Sequence, residues 1–203
     1  MRIIAGRWKG HRLKALRGKG VRPTADRVRE AWMSALGGRV VGARVLDLFA
    51  GSGALGLEAL SRGASSVVLV ERARGALRVV RSNIELLGVG SECTVVANDV
   101  FQFLNVAGER FDLALADPPY GGGAAARLVE RFLDEPFANE LWLEHPWRET
   151  LPLPGDARTR RYADTALSTL AARGRSTEGR ATPAIRRGCP GLARVQTRND
   201  DES

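Results

Sequence analysis

Apolar and polar positions follow two alternating spacings along most of the chain. From Ala43 onward, short apolar runs indicate buried β-strands, and between them apolar residues recur every three or four positions, as on one face of a helix. Strands that alternate with helices predict an α/β fold with a mostly parallel sheet and helices on both faces. The strands are predicted at 45–49, 66–71, 93–97, 111–116 and 141–144, and the helices at 57–60, 73–87, 101–104 and 124–133.

The N-terminal segment has a different pattern. Two glycines interrupt an approximate alternation of apolar and basic residues over residues 2–13, which predicts a short β-hairpin. An amphipathic helix should follow, with Thr24 as its N-cap and a glycine pair at 37–38 as its end. Residues 1–40 are therefore expected to form an extension of the main domain.

The C-terminal part closes the sheet and then loses its pattern. Residues 160–162 and 165–170 predict an antiparallel pair of strands, so the main domain should span 41–170. Beyond it, Gly, Arg, Thr, Ser and Pro predominate, and we expect residues 171–203 to be a disordered tail.

The composition is that of an ordinary soluble protein, with 44% hydrophobic and 27% charged residues. No apolar run approaches the roughly 18–20 residues that span a bilayer, and the N-terminus lacks a signal-peptide core. The two cysteines, Cys93 and Cys189, have no metal-ligand spacing. We expect a buried Cys93, a cytoplasmic protein without a metal or a membrane partner, and a monomer.

Positive charge is concentrated at the two ends of the chain. The net charge is +9 over residues 1–40, −5 over 41–154 and +4 over 155–203. Clustered cations favour a nucleic-acid partner, although a merely solvated terminus is the alternative. Trp8 lies among these cations, so its ring could stack on an RNA base or could pack the hairpin onto the domain. The candidate RNA-binding residues are Arg7, Trp8, Lys9, Arg12 and Lys14.

The string Gly51-Ser52-Gly53 directly follows the first predicted strand of the main domain and precedes a helix. Such a strand–turn–helix places a ligand against a helix N-terminus in an open parallel sheet, and glycine allows a close approach of the backbone. By itself the G-x-G-x-x-G spacing is weak evidence, because glycine-rich loops without a ligand share it.

Four of the predicted strands end in acidic residues. Because the carboxyl ends of parallel strands meet at one edge, Asp47, Glu71, Asp99 and Asp117 should converge where open α/β sheets bind ligands. Glu71, about 20 residues after the glycines, is suited to the ribose of any adenosine-containing ligand. To this point a dehydrogenase and a methyltransferase are equally compatible with the sequence.

The string Asp117-Pro118-Pro119-Tyr120 separates these two classes. The prolines fix the backbone and remove two amide donors, so the Pro118 carbonyl can accept hydrogen bonds beside the Asp117 carboxylate. Two acceptors can hold both hydrogens of an exocyclic amine, and Tyr120 can stack on its base. Hydride transfer has no use for such a site, and a Pro-Pro turn without function is the alternative.

The pattern Asp47-x-Phe49-x-Gly51-x-Gly53, together with the Asp-Pro-Pro-Tyr string, resembles class I S-adenosylmethionine-dependent amino methyltransferases. The strings IIAGRWKGHRL, VRPTADRVRE and FAGSGALGLEALSRGA are similar to those of the bacterial 16S ribosomal RNA guanine-N2 methyltransferases that modify guanine 966. The resemblance extends over about residues 2–170. It implies a Rossmann-like class I methyltransferase fold with a seven-stranded sheet.

The resemblance also implies a reaction. The methyl group of S-adenosylmethionine would pass directly to N2 of a guanine in 16S ribosomal RNA, on the 30S subunit or an assembly intermediate, without a metal. Asp117 and Pro118 would orient the amine, and Tyr120 would stack on the base.

For the cofactor, the resemblance implies that Asp47 and the turn at 51–53 cradle the methionine part. Glu71 would hold the ribose hydroxyls, and Asp99 with the Val100 backbone would meet the adenine. The segment around residues 22–24 would close over the site. The implied cofactor-binding residues are Arg22, Thr24, Asp47, Phe49, Gly51, Gly53, Glu71, Asp99 and Val100.

Other functions are compatible with the same motifs. A methyltransferase of adenine N6 or of a protein glutamine amide is one alternative, because related four-residue motifs serve those amines. A non-catalytic RNA-binding protein on this scaffold is another. The basic N-terminal segment favours RNA over a peptide, and the intact acidic residues argue for catalysis. Failure of the protein to bind NAD would exclude the dehydrogenase alternative.

Overall fold

The computed structural model describes residues 1–16, 23–108, 110–172 and 192–193. The strands in this part are β1 Arg44–Leu48, β2 Ser66–Glu71, β3 Cys93–Ala97, β4 Phe111–Ala116, β5 Ala138–Pro146, β6 Arg158–Tyr162, β7 Thr165–Ala171 and β8 Leu192–Ala193. The helices are α1 Pro23–Leu36, α2 Ala54–Ser61, α3 Arg74–Leu87, α4 Val100–Val106 and α5 Ala124–Asp134, and a short 3-10 helix, Gly37–Val40, follows α1. None of these helices is long and apolar enough to cross a membrane.

The strands form one sheet in the order β6-β7-β5-β4-β1-β2-β3-β8. Neighbouring strands among β1 to β5 are parallel to one another. At one edge of the sheet, β7 is antiparallel to β5 and β6 is antiparallel to β7, and at the other edge β8 is antiparallel to β3. This confirms the predicted Rossmann-like fold and its mostly parallel sheet, with the two-residue β8 added to seven strands. The rest of the predicted tail beyond residue 172 lies outside the described residues.

Helices cover both faces of the sheet, as predicted. On one face, α1, α2, α3 and the N-terminal hairpin pack on the strands through a core that includes Leu57 and Ile84. On the other face, α4 and α5 pack through a second core that includes Leu104 and Leu128. Cys93 is buried, as expected from the sequence.

Some elements are longer than their apolar patterns indicate. β5 is predicted at 141–144 but begins at Ala138, because Glu140 is accommodated at the strand by a hydrogen bond of 2.8 Å from the Trp142 indole. α4 begins at Val100 rather than at Phe101, because the Asp99 side chain caps it. A polar residue near the end of an element therefore need not interrupt it.

The predicted hairpin is present at the N-terminus. Arg2 and Arg12 form an antiparallel bridge, and the Ile3 amide donates to the His11 carbonyl at 3.0 Å. The helix that follows, α1, begins at Pro23, so Thr24 lies within it and the expectation of Thr24 as its N-cap is wrong. It ends at Leu36, directly before the glycine pair at 37–38, as predicted, and a 3-10 helix follows.

The hairpin is fixed to α2 by two buried polar side chains. The Glu58 carboxylate accepts the amide protons of Ile4 and Ala5 at 2.8 and 3.1 Å. The Ser61 hydroxyl donates to the Ala5 carbonyl at 2.6 Å and accepts from the Trp8 amide at 3.1 Å. Because hydrogen bonds compensate these buried polar groups, the docked position of the hairpin is specific.

Candidate active site

Three of the predicted acidic residues stand on one face at the carboxyl edge of the sheet. Asp47 pairs in register with Leu69 of β2 and with Leu115 of β4. Glu71 and Asp117 each lie two positions further along those strands, and side chains two positions apart share a face. This is the face that α1, α2 and α3 cover, so the three carboxylates converge as predicted.

The turn after β1 has several residues in the left-handed region, which favours glycine. Phe49, Gly51 and Gly53 have φ angles of 60°, 57° and 78°. A Cβ added to Gly53 would lie 2.5 Å from a methyl group of Val80 on α3. Glycine is required at position 53 because α2 begins in direct contact with α3.

Asp47 is buried, at 2% exposure, and acts within the turn. Its Oδ2 accepts the amide proton of Gly56 in the first turn of α2 at 2.8 Å. Burial raises the pKa of Asp47 to about 7, against the lowering by this hydrogen bond, and the charges of Asp117 and Glu71 raise it further. Asp47 therefore holds the first turn of α2 against the end of β1, and its part in cradling the methionine end of a cofactor stays a prediction.

Glu71 and Asp99 also organise the backbone of this edge. The Glu71 carboxylate accepts the amide protons of Gly51 at 2.9 Å and of Ala73 at 2.7 Å. Asp99 accepts from the Phe101 amide at 3.0 Å, and its second oxygen lies 3.2 Å from the Arg72 guanidinium. Both carboxylates keep part of their acceptor capacity, since each has about four lone-pair sites.

Aromatic side chains line the edge next to these acids. The rings of Phe49 and Phe101 meet edge to face at 6.3 Å, and the Arg127 guanidinium lies 3.8 Å from the centre of the Phe101 ring. Val100, between Asp99 and Phe101, is buried, so its backbone is the part that could face a ligand. Sequence reasoning missed Arg127, which enters from α5, an element that had no predicted role.

The edge fits a cationic ligand that contains adenosine better than it fits an anionic dinucleotide. Its carboxylates complement a positive charge, and the two phenylalanines offer apolar surface. Next to the turn, a Cβ added to Gly51 would meet Leu16 and the Phe49 carbonyl, each at 3.9 Å, and no closer atom of the described residues. The helix N-terminus that would bind a pyrophosphate already holds the Asp47 carboxylate. This argues against the dehydrogenase.

The Asp-Pro-Pro-Tyr string directly follows β4. Asp117 is open to solvent on one side, while the protein around it disfavours its charged form and raises the pKa of its carboxyl to about 6. Tyr120 is half-exposed, and its hydroxyl donates to Glu144 of β5 at 3.1 Å and lies 3.1 Å from the Thr165 hydroxyl. The aromatic ring is thus held at the site mouth by partners on two other strands. Pro118 is buried behind it.

Two predicted cofactor residues cannot be placed. Arg22 lies outside the described residues, and of Thr24 only the helical backbone of α1 is described, beginning at Pro23. Their closure over the site stays a prediction.

Asn83, which sequence reasoning missed, joins the N-terminal segment to the glycine turn. Its amide nitrogen donates to the carbonyls of Ser52 at 2.9 Å and Lys14 at 3.1 Å, and its oxygen accepts from the Lys14 amide at 2.8 Å. It is fully buried on α3. The sequence did contain a signal for Asn83, because it is a polar residue on the apolar face of a predicted helix. Glu58 on α2 carries the same signal.

The hairpin presents most of the predicted RNA-binding residues at its surface. Arg7, Lys9, Arg12 and Lys14 are exposed, and Arg7 forms an ion pair with Glu92 at 3.3 Å.

Trp8 is different, being only 8% exposed and part of the core. The Arg7 guanidinium covers its ring at 4.5 Å from the centroid. The packing interpretation therefore replaces base stacking for Trp8, because a buried ring has no free face.

The outer face of α3 adds a basic surface that the net charge of the segment concealed. Arg74 and Arg78 are exposed and Arg81 is half-exposed, at the spacing of one helix face, and none has an ion-pair partner among the described residues. The Lys14 ammonium bonds to the Ser82 hydroxyl and so joins the hairpin segment to this face. Between residues 14–16 and α3 lies a groove of about 720 Å³. We call Arg74, Arg78 and Arg81 the α3 ridge.

Comparison with curated proteins finds rRNA methyltransferases. The chain is 42% identical over 134 residues to ribosomal RNA small subunit methyltransferase D of Escherichia coli K12, which covers 66% of this chain and 67% of that protein. It is 43% identical over 123 residues to the putative rRNA methyltransferase YlbH of Bacillus subtilis 168, with 59% and 67% covered.

The solved structures and the family match agree with this likeness. The structure of the putative methyltransferase YhhF of Escherichia coli superimposes with a TM-score of 0.75 at 31% identity and covers 86% of this chain and 99% of that chain. Residues 1–144 match the family described as Conserved hypothetical protein 95. This match includes every candidate site residue and most of the chain, and the protein therefore belongs to the Conserved hypothetical protein 95 family.

Proposed function

We propose that this protein is an S-adenosylmethionine-dependent methyltransferase that modifies N2 of a guanine in 16S ribosomal RNA, guanine 966 by resemblance. The main support is the pair of acceptors at Asp117 and Pro118, which follows β4 at the same edge as the glycine turn. The relatives named rRNA small subunit methyltransferase D support the substrate class. The reaction would take place in the cytoplasm, which the cysteine pattern also favours.

S-adenosylmethionine supplies a methyl group that its sulfonium makes electrophilic. The residues that would hold it follow β1, β2 and β3, namely the glycine turn at 51–53, Glu71, and Asp99 with the Val100 backbone. Their carboxylates suit its positive charge. Phe49 offers an apolar surface next to them. Direct transfer needs no metal ligand from the protein.

Asp117 and the Pro118 carbonyl act on the substrate amine. Guanine N2 is a weak nucleophile because its lone pair is delocalised into the ring. Hydrogen bonds from its two hydrogens to these acceptors would favour a tetrahedral nitrogen and stabilise the positive charge that develops on it. Holding the amine in the attack position supplies much of the remaining rate. The protein around Asp117 raises the pKa of its carboxyl to about 6, which still leaves a carboxylate that can accept a proton at neutral pH.

The target base has to leave its stack to reach this edge, as for other base-modifying enzymes. A cationic surface that holds the surrounding RNA backbone would stabilise that state. The hairpin and the α3 ridge are the surfaces we assign to this task. Their cations, all exposed except the half-exposed Arg81, are Arg7, Lys9, Arg12, Lys14, Arg74, Arg78 and Arg81.

The proposed function predicts a specific product. When the full chain is incubated with tritiated S-adenosylmethionine and 30S particles that lack the modification, the digested RNA should contain labelled N2-methylguanosine. Label on adenosine would support methyl transfer to RNA but contradict guanine as the target base. Absence of RNA label despite measured cofactor binding would contradict the proposal and direct the search to a protein glutamine amide or another amine.

The hairpin cations should contribute to the salt dependence of RNA binding. Replacing Arg7, Lys9 and Arg12 with glutamine should weaken binding and reduce the slope of log K against log salt by up to about 2, somewhat less than three full phosphate contacts because Arg7 is already paired with Glu92. Binding titrations between low and moderate salt measure this slope.

A control for this experiment removes the same charge from another surface. Arg158, Arg160 and Arg161 lie on the exposed edge strand β6. Their replacement by glutamine should leave the slope closer to that of the wild type. Equal flattening by both triple variants would show that total charge, and not the hairpin, determines binding.

A further inference from the structure

A second carboxylate, Glu144, stands beside Asp117 at the amine end of the site. The last pair between the parallel strands β4 and β5 joins Ala116 to Leu143, so the next positions are Asp117 and Glu144. Residues in register on parallel neighbours direct their side chains to the same face. The two carboxylates are therefore lateral neighbours, and the charge of Asp117 is felt at Glu144.

The position of Glu144 is fixed by groups from three elements. Tyr120 donates its hydroxyl to Oε1 at 3.1 Å and also meets Thr165 of β7 at 3.1 Å. The Trp32 indole N–H of α1 has no acceptor at bonding distance among the described residues, yet it is near enough to lower the pKa of Glu144. Burial and the charge of Asp117 outweigh these donors and raise that pKa to about 7. An occupant that donates a hydrogen bond to Glu144 would favour its charged carboxylate at this position.

We propose that Glu144 accepts the N1–H of the target guanine while Asp117 and Pro118 hold its N2 amine, and that it thereby selects guanine over adenine. The inference rests on the function proposed above. The Watson–Crick edge of guanine presents adjacent donors at N1 and N2, and two neighbouring carboxylates present adjacent acceptors. A donor at N1 also compensates the repulsion between the two carboxylates.

Adenine does not satisfy this arrangement. With its N6 amine at Asp117, its N1 lone pair would face the Glu144 carboxylate, an acceptor against an acceptor. A desolvated carboxylate without a partner is costly, and a site that hydrogen-bonds a substrate N–H rejects an analogue without it. Motifs like the Asp-Pro-Pro-Tyr string serve several amines, so that string alone does not determine the base. Glu144 on the neighbouring strand β5 would determine it.

The test uses a base that keeps the amine and lacks the N1 proton. 2-Aminopurine has the 2-amino group of guanine, but its N1 is an acceptor. In 30S particles reconstituted with guanine or 2-aminopurine at the target position, the wild-type kcat/KM should favour guanine roughly ten- to hundredfold. In Glu144→Gln, whose amide can donate to N1, this preference should fall to about threefold or less.

Two further variants separate selection from structural support. Glu140→Gln changes another carboxylate on β5, bonded to Trp142 and away from Asp117, and should keep the wild-type preference. Thr165→Val removes a hydroxyl that serves both Tyr120 and Glu144 but keeps the Glu144 carboxylate, so it should lower turnover on both bases and retain the preference for guanine. An equal loss on both bases in Glu144→Gln, with cofactor binding retained, would overturn the inference. Absence of wild-type transfer to the guanine particle would instead overturn the proposed function.

Discussion

Replacing Asp117 with alanine should lower methyl transfer by about 10²- to 10³-fold and leave the affinity for S-adenosylmethionine almost unchanged. Asp117 follows β4, whereas the glycine turn and Glu71 belong to β1 and β2, so the substrate and cofactor ends of the site are carried by different strands. The variant removes one of the two acceptors that stabilise the developing charge on N2. Single-turnover rates on 30S particles and calorimetric cofactor affinities measure the two effects separately.

A matched carboxylate is available on the same strand. Asp112 lies near the start of β4, is exposed, and accepts the Arg44 amide proton at 2.8 Å. Asp112→Ala should retain wild-type turnover apart from a small loss of stability. If Asp117→Ala loses cofactor binding together with turnover, the assignment of Asp117 to the amine is wrong.

The pH profile tests the charge state of the same group. Desolvation by the surrounding protein raises the pKa of Asp117 to about 6, and desolvation with the charge of Asp117 raises that of Glu144 to about 7. Both carboxyls are stronger hydrogen-bond acceptors when ionised, so kcat/KM should rise with pH through this range and then level off. Asp117→Asn keeps an acceptor oxygen but does not titrate, and its profile should retain only the step from Glu144.

The sheet and its acidic edge follow from local information in the sequence. Apolar runs at strand spacing and amphipathic helices are short-range patterns, and parallel strands bring their carboxyl ends together whatever the loops do. This is why Asp47, Glu71 and Asp117 could be placed at one edge before the structure was known. The burial of Asp47 and its bond to the first turn of α2 could not be predicted, because they depend on how α2 packs, which no local pattern specifies.

Contacts between distant segments could not be read from spacing alone. Glu58 and Asn83 were recognisable only as polar residues on apolar helix faces, and their partners lie 54 and 69 residues away. Trp8 has cationic neighbours in sequence, yet its surroundings in space are the α2 helix and the core. The sum of charges over a segment likewise conceals the α3 ridge, since acidic residues elsewhere cancel its arginines.

The two hairpin glycines provide the second large effect. Gly6 and Gly10 have nearly equal φ angles of +86° and +87°, so any side chain strains both positions alike. A Cβ at Gly6, however, would lie 1.7 Å from the Ser61 carbonyl oxygen of α2, whereas a Cβ at Gly10 meets no atom of the described part of the chain within 4 Å. The difference between the alanine variants therefore isolates the docking of the hairpin from backbone strain.

Gly6→Ala should displace the hairpin from α2 and lower the free energy of unfolding by about 2–4 kcal/mol, whereas Gly10→Ala should cost about 1–2 kcal/mol. Displacement also releases Trp8 from the core and breaks the path from the hairpin through Asn83 to the glycine turn. We therefore expect Gly6→Ala to raise KM for 30S particles about tenfold or more, with Gly10→Ala near wild type. Urea unfolding and steady-state kinetics measure both effects. Equal effects of the two variants would mean that the docked hairpin contributes neither stability nor substrate binding.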